Sequence, residues 1–409
     1  MTPRSFRLPG PRLWVFLACL ALALNQLRAT LETWGKFILA HPGFADFGSY
    51  YVYARVAWHH GLSHLYDSAA QRQEWLSLGG ANAIPWFPPI YPPPLAWVVM
   101  PFTLWPYPVA FAAWSLLLLS LLLLTWRLLA GAAPRLWRWS ALAATLALFP
   151  VLFALVLGQV LILELAAVAG AWWMLSRGRQ VAAGLLLTTI VFKPQVAFLV
   201  PLALLVAGRR RAVAAWAAGS AAVASLCLLT TGLPGLQVYA LHLLHAAGAQ
   251  QEFGVPTQFT LQGLLGSGLA VRITEVLFCG LALAVAYRHR HEGVTMALAA
   301  ALVGSMLATP YLHDQDLSVL LLAGAIAWQG PLQPWQRRLS LAGYAVLLAV
   351  SYWGFGSGGT VLGPVLVLLE AAWLASGWWR DAGLAEARLA AERAWPLPPS
   401  RRRTWERRR

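Results

Sequence analysis

Long apolar runs dominate this chain, and a few polar residues interrupt them. Hydrophobic residues make up 59% of its 409 residues and charged residues only 11%. Soluble domains have about 25% charged residues, so this chain lacks the polar side chains needed to cover a water-facing surface. Several runs approach the ~20 residues that span a bilayer as a helix. The sequence therefore predicts an all-α integral membrane protein, a multi-helix bundle with about twelve spans.

Arginine residues set the predicted orientation of these spans. They collect in short segments between apolar runs, and placing every such segment in the cytoplasm gives a consistent threading. Both termini are then cytoplasmic, and residues 29–106 and 232–270 form two external loops. Residues 1–380 form one membrane domain, followed by a basic cytoplasmic tail at 381–409. This topology and anionic lipid headgroups account for the net charge of +15, since no nucleic-acid-binding motif accompanies it.

The polar interruptions fall on the side opposite the arginines in this threading. The sequence therefore predicts one shared polar site at the external face of the membrane. Its members are Asp46, the Gly158-Gln159 turn, Lys193 and His313-Asp314-Gln315-Asp316.

Lys193 is one of only two lysines in the chain and lies in an apolar stretch flanked by arginines. A charge inside a span costs at least ~2.5 kcal/mol on insertion scales, so it usually lines a site or meets a partner. Two short helices that break at Pro194 would raise Lys193 to the external face. The lysine is then either a cation for a phosphate group or half of a structural ion pair.

Asp46, Tyr50 and Tyr53 share one face if the segment after Gly43 is helical, because they are spaced i, i+4 and i+7. An external carboxylate at this position is suited to act as general base for a sugar hydroxyl. The other interpretation is that Asp46 caps its helix, a role that is compatible with acting as a base. Likewise, the turn at 313–316 either binds a ligand or is a solvated hairpin in which Asp316 caps the next helix.

Other polar or reactive residues carry weaker signals. Glu164 lies inside a predicted span, where a carboxylate suggests a site. His242 and His245 are spaced i, i+3 without a third metal ligand, which favours helix-surface histidines. The three cysteines lie in apolar runs without metal spacing and are interpreted as packing residues.

These segments, in order over about residues 40–330, resemble glycosyltransferase family 87, which holds polyprenyl-phosphate-mannose-dependent mannosyltransferases. The resemblance departs from the family at Val160, where relatives often have asparagine, and at Gln315, which replaces an aromatic residue. The matching segments are Asp46-Phe47-Gly48-Ser49-Tyr50-Tyr51, Gly61 with Leu65-Tyr66-Asp67, Tyr91-Pro92-Pro93, Gly158-Gln159, Gly184 with Phe192-Lys193-Pro194-Gln195, Thr309-Pro310-Tyr311 and Asp314-Gln315-Asp316.

The resemblance implies a GT-C fold with its active site on the periplasmic face of a bacterial inner membrane, or its equivalent. A hexose, by default mannose, would pass from a polyprenyl-phosphate donor to a lipid or glycan acceptor with inversion. Asp46 matches the catalytic aspartate of the family, and Lys193 matches the lysine that would contact the donor phosphate.

The remaining predictions complete the site. Arg55 is predicted to share phosphate binding with Lys193. No cofactor is predicted: a phosphate leaving group needs no strong acid, so a divalent metal is neither required nor excluded. The predicted substrate-binding residues are Tyr50, Tyr53, Tyr91, Gln159, Gln195, His313, Asp314 and Asp316.

Two other functions remain open at this point. A lipid-linked glycan flippase should show inverted repeats with polar groups at the midplane, and the sequence shows no such repeat. A non-catalytic envelope assembly protein would have no need of Lys193 within a span.

Overall fold

The computed structural model describes residues 11–39, 45–78, 91–131, 133–252, 259–353 and 357–378. Within these ranges the chain is helical and contains no β-strand. The predicted basic tail lies outside the described residues. The α-helices are α1 (Pro11–Leu39), α2 (Asp46–His59), α3 (Ser68–Ser77), α4 (Pro93–Val99), α5 (Tyr107–Ala130), α6 (Arg135–Leu146), α7 (Phe149–Leu157), α8 (Leu161–Leu175), α9 (Gln180–Leu186), α10 (Leu199–Val206), α11 (Arg210–Glu252), α12 (Leu261–Leu265), α13 (Leu269–Arg288), α14 (Thr295–Ala308), α15 (Ser318–Ala327), α16 (Pro334–Trp353) and α17 (Ser357–Ser376).

Four of the described helices are long and apolar enough to cross a membrane. They are Leu13–Phe37 within α1, α5, Arg210–Leu244 within α11, and α13. Helices α6 and α7 make a fifth span if they are taken together, although the chain bends by 65° between them. Pro150, in the first turn of α7, lies just after this bend. The all-helical prediction is confirmed, whereas twelve spans are not.

Several of the predicted spans are helices too short to cross a membrane alone. α8 has 15 residues and α14 has 14, which is about 22 Å of helix against a hydrocarbon core of ~30 Å. α14 is buried along nearly its whole length and packs against α10, α13 and α15. Its apolar sequence thus reflects a position inside the bundle, and hydropathy alone does not distinguish that position from a lipid-facing span.

Both predicted external loops begin with residues that continue a long helix. α1 extends to Leu39, and α11 extends to Glu252. α11 is interrupted at Gly232 (φ 73°, ψ 165°), which coincides with the predicted start of the second loop.

The polar interruptions and the arginine clusters between the apolar runs lie at opposite ends of the helices. α8 begins just after Gln159 and ends just before Arg177. α15 begins just after Asp316 and ends near Gln329, whose Nε2 donates to the carbonyl of Leu129 at the end of α5 (2.9 Å). The polar end is defined by Asp46, Gln159, Lys193 and Asp316, and the arginine end by Arg127, Arg177, Arg209, Arg288 and Arg337.

A glycine turn brings Gln159 to the polar end. Gly158 ends α7 in the left-handed region (φ 69°), where glycine avoids the steric penalty of a side chain. A Cβ atom there would lie 2.8 Å from the Cβ of Phe47 and within 3.2 Å of the Phe111 and Trp114 rings. Trp114 Nε1 also donates to the Gly158 carbonyl (2.8 Å). The turn is therefore held against α2 and α5.

The predicted break at Pro194 is confirmed. A 3₁₀ segment, Leu187–Phe192, follows α9 and ends at Lys193 (φ −148°, ψ 66°), and a short 3₁₀ turn, Pro194–Val196, follows. Pro194 lacks the N–H that would continue a helix. α9 packs against α8 and α11, whereas α10 packs mainly against α13 and α14 and to a lesser extent against α11. The break thus places Lys193 between two groups of helices.

The substitution Gly158→Ala tests the packing of this turn, with Gly178→Ala as its control. Both glycines have positive φ (69° and 75°), but a Cβ at Gly178 meets nothing within 4 Å. We expect both variants to lose about 1–2 kcal/mol from the left-handed backbone, and Gly158→Ala to lose a further ~1–3 kcal/mol from overpacking. Unfolding in detergent measures both losses, and equal losses would contradict the packing described.

Candidate active site

Asp46 is the first residue of α2, and its side chain is bound by another segment. The N-cap residue is Ala45, and the helix start has no side-chain cap. The alternative prediction that Asp46 caps its own helix is therefore wrong. Instead, Asp46 Oδ2 accepts a short hydrogen bond from Gln159 Nε2. Asp46 Oδ1 accepts no hydrogen bond from the part of the chain described, which leaves it available to a substrate.

Gln159 joins Asp46 to Tyr50. The Tyr50 hydroxyl donates to Gln159 Oε1 (3.3 Å), while the amide nitrogen of the same side chain donates to Asp46. The predicted shared face of Asp46 and Tyr50 on α2 is confirmed, because both side chains meet Gln159. The chain of hydrogen bonds fixes the orientation of the Asp46 carboxyl group.

Tyr53 and Tyr91 build the wall behind this arrangement. The carbonyl of Tyr91 accepts hydrogen bonds from the hydroxyls of Tyr53 and Tyr66, both at 2.9 Å. The Tyr91 ring packs edge-on against Tyr50, with ring centroids 4.6 Å apart. Tyr53 is fully buried, and its hydroxyl is occupied by the hydrogen bond that holds the chain at Tyr91.

Lys193 and Asp316 form a buried ion pair at the centre of the polar end. Lys193 is 6% exposed and Asp316 is 0% exposed, and Lys193 Nζ contacts Asp316 Oδ1 directly. The second oxygen of Asp316 accepts from the backbone N–H of His313 (3.0 Å). A buried charge without a partner is strongly destabilising, so each member of the pair requires the other.

The ion pair lies within electrostatic range of Asp46. Burial raises the pKa of Asp46, the positive charge of Lys193 and the Gln159 hydrogen bond lower it, and Asp316 raises it slightly, for a value of about 6. The carboxylate therefore predominates at neutral pH. The predicted convergence of Asp46, Gln159, Lys193 and Asp316 at one end of the bundle is thus present in the structure.

The turn before α15 adds a second acidic side chain. Asp314 is half-buried, and its Oδ1 is buried without a hydrogen-bond partner among the described residues. Burial and the neighbouring Asp316 raise the pKa of Asp314 to about 7. Gln195 Nε2 reaches the hydroxyl of Tyr311 in this turn (3.4 Å), and the ring of His313 packs beside Tyr311.

Arg55 lies away from Asp46. It is nine residues, or about 13 Å, further along α2 than Asp46 and on the opposite face. Its Nε donates to Glu74 Oε2 (2.7 Å), and His59 Nδ1 (2.7 Å) and His60 Nε2 (3.2 Å) contact the other oxygen of Glu74. The charge of Arg55 is thus already neutralised, and Lys193 is left as the cation beside Asp46.

Glu164 belongs to the site, although it is absent from the predicted set of site residues. It lies five residues after Gln159, is 1% exposed, and interacts electrostatically with Lys193 and Asp316. Neither carboxyl oxygen has a hydrogen-bond partner in the described chain. The sequence signal for Glu164, a carboxylate within an apolar run, suggests a site but does not by itself assign the residue to this one.

No three acidic, histidine or cysteine side chains converge as metal ligands in the described ranges. That the reaction does not require a divalent metal stays a prediction. The side chain of His245 lies outside the described residues, and His242 packs edge-on against Tyr66 with ring centroids 6.4 Å apart.

Comparison with known proteins identifies the class of enzyme that carries this site. The sequence model of glycosyltransferase family 87 matches residues 90–310, which is more than half of the chain. Curated proteins and solved structures gave no match. The chain belongs to glycosyltransferase family 87 and is a membrane glycosyltransferase. The matched range includes Gln159, Glu164 and Lys193.

Proposed function

We propose that the protein transfers a hexose, with mannose as the default sugar, from a polyprenyl-phosphate donor to a lipid or glycan acceptor. The observation that carries this proposal is the buried Lys193–Asp316 pair beside the Asp46 carboxylate. A base and a cation at one place are what transfer from a phosphate-activated sugar requires. Family membership supports a sugar donor and an acceptor, while the lipid phosphate rests on Lys193 and the apolar surroundings.

Asp46 acts as the general base in this proposal. The acceptor hydroxyl gives its proton to Asp46 Oδ1 while its oxygen forms a bond to the anomeric carbon. On the opposite face of the sugar, the bond between that carbon and the phosphate oxygen breaks. The electron pair leaves with polyprenyl phosphate, so the configuration inverts. Gln159 and Tyr50 keep the carboxylate directed at the hydroxyl.

Lys193 stabilises the phosphate as it gains negative charge. Its Nζ has three donors, so it can contact a phosphate oxygen while it keeps its bond to Asp316. The carboxyl groups of Asp46, Glu164 and Asp316 interact electrostatically with this ammonium group, and the donor adds further negative charge. A protonated Asp314, consistent with its pKa of about 7, reduces the repulsion.

The remaining predicted residues have supporting roles. We assign Tyr91, Gln195 and His313 to contacts with the sugar or acceptor, because they line the polar end around the ion pair. Tyr53 positions Tyr91, and Arg55 anchors α2 to α3 through Glu74. By the positive-inside rule, the arginine end faces the cytoplasm and the polar end the periplasm.

The substitution Asp46→Asn tests the base, and Asp67→Asn is its control. Asp67 is an exposed aspartate of the same region whose side chain caps α3, a role that asparagine also fills. We expect Asp46→Asn to lose at least about 100-fold in sugar transfer, the usual contribution of a general base, while Asp67→Asn keeps near-wild-type activity. The assay measures transfer from polyprenyl-phosphate mannose to extracted lipid and glycan acceptors with purified protein.

Full activity of Asp46→Asn at normal abundance would overturn the base assignment. Wild-type protein that moves lipid-linked glycan across vesicles, but shows no transfer with any phosphate-linked hexose, would favour the flippase instead.

The pH dependence of transfer gives a second test. Asp46 must be ionised, so kcat/KM should fall as pH drops through about 6 instead of near the usual aspartate value of ~4. Above about 7, ionised Asp314 repels the donor phosphate, so KM should rise. Asp314→Asn should remove the alkaline limb and leave the acidic one. If kcat/KM and KM do not change above about pH 5, both carboxyl groups titrate at about the ordinary pKa of a carboxylate. That result would contradict both assignments.

A further inference from the structure

A cavity of about 200 Å³ lies at the arginine end, between the end of α5 and the start of α6. It is lined by Trp126, Arg127, Ala130, Gly131 and Arg138. Arg127 is twenty residues, or about 30 Å, along α5 from Tyr107, whose ring packs against Phe47 next to Asp46. The cavity is therefore separate from the candidate active site.

The two arginines of the cavity differ from those arginines of the same end that stack on aromatic rings. Arg177 lies over Trp173 (3.8 Å), Arg290 over Tyr287 (3.9 Å) and Arg338 over Trp335 (5.3 Å). Within the described chain, neither Arg127 nor Arg138 has a carboxylate partner or a stacked ring. Two guanidinium groups thus line one cavity without a counter-charge.

Tryptophan side chains place the cavity at a membrane–water boundary. Trp126 Nε1 donates to the carbonyl of Arg138 (2.9 Å) and its ring packs on Trp139 at 5.4 Å, which joins α5 to α6. Trp139 is 45% exposed, and Leu123 and Leu124, one turn before the arginine on α5, are also exposed. Exposed tryptophan beside exposed leucine is typical of the headgroup level of a bilayer.

We propose that this cavity binds the phosphate group of an anionic membrane lipid. Guanidinium groups bind phosphate through paired N–H donors, and basic pockets between membrane helices bind anionic headgroups. The exposed leucines next to the cavity supply a surface for the acyl chains, which a free phosphate ion would not use. The site holds α6 at the boundary and is independent of sugar transfer.

Lipid binding to the purified full-length protein tests the proposal. Phosphatidylglycerol is titrated in detergent, and bound lipid is measured by native mass spectrometry alongside thermal stability. We expect Arg127→Gln/Arg138→Gln to bind at least about tenfold more weakly than wild type, since each basic residue near a lipid surface contributes to binding. Arg337→Gln/Arg338→Gln removes the same charge from the same end and should bind like wild type. Arg127→Lys/Arg138→Lys, which keeps the charge, should retain intermediate binding.

The controls separate the possible ligands. Zwitterionic phosphatidylcholine should bind more weakly than phosphatidylglycerol, and inorganic phosphate should not displace the lipid at millimolar concentration. Displacement by inorganic phosphate would assign the site to a free anion and overturn the lipid. Equal binding by wild type and the Arg127/Arg138 glutamine variant, or equal loss in the Arg337/Arg338 control, would overturn the site itself.

Discussion

The ion pair between Lys193 and Asp316 is the interaction on which the polar end of this protein depends. A lysine within an apolar bundle is costly, and only a partner of opposite charge with good geometry offsets that cost. Asp316 provides this partner and also binds the backbone of His313. The pair therefore joins the break at Pro194 to the turn before α15 and draws the two groups of helices together around one site.

The second half of the site depends on backbone geometry. Gly158 permits a left-handed turn packed against Phe47, and this turn presents Gln159 to Asp46. The base, Asp46, is held by a side-chain amide, and the cation, Lys193, is held by a different carboxylate. The base and the cation are therefore not paired with each other. Salt-bridging of Asp46 to Lys193 would neutralise both, whereas the observed pairing keeps Asp46 Oδ1 available. This arrangement is the physical basis on which we connect membership of glycosyltransferase family 87 to a proposed mechanism.

Much of this site could be predicted from the sequence, because a charge in an apolar run has few possible explanations. The break at Lys193 and the opposite placement of the arginine clusters and the polar groups follow from local rules. The helix after Gly43 enters the prediction only as a condition, and the structure supplies its start at Asp46. The ionic partner of each charged residue does not follow from local rules. The sequence offers both Lys193 and Arg55 as phosphate-binding cations, and the fold pairs Arg55 with Glu74 instead. The number of spans cannot be predicted from hydropathy either, because α14 is apolar through burial in the bundle and not through contact with lipid.

The most direct test of this account replaces the ion pair by apolar side chains and measures binding of polyprenyl phosphate, the proposed leaving group. Lys193→Met alone leaves Asp316 buried and unpaired, so it should unfold more readily than Lys193→Met/Asp316→Leu, which removes both charges. The double variant should be folded, with the helical content of wild type, but should bind polyprenyl phosphate at least about tenfold more weakly, since a charge-assisted phosphate contact is lost. Asp46→Asn should bind it like wild type. A folded double variant that binds polyprenyl phosphate as tightly as wild type would show that the pair is structural only and that Lys193 does not bind the donor phosphate.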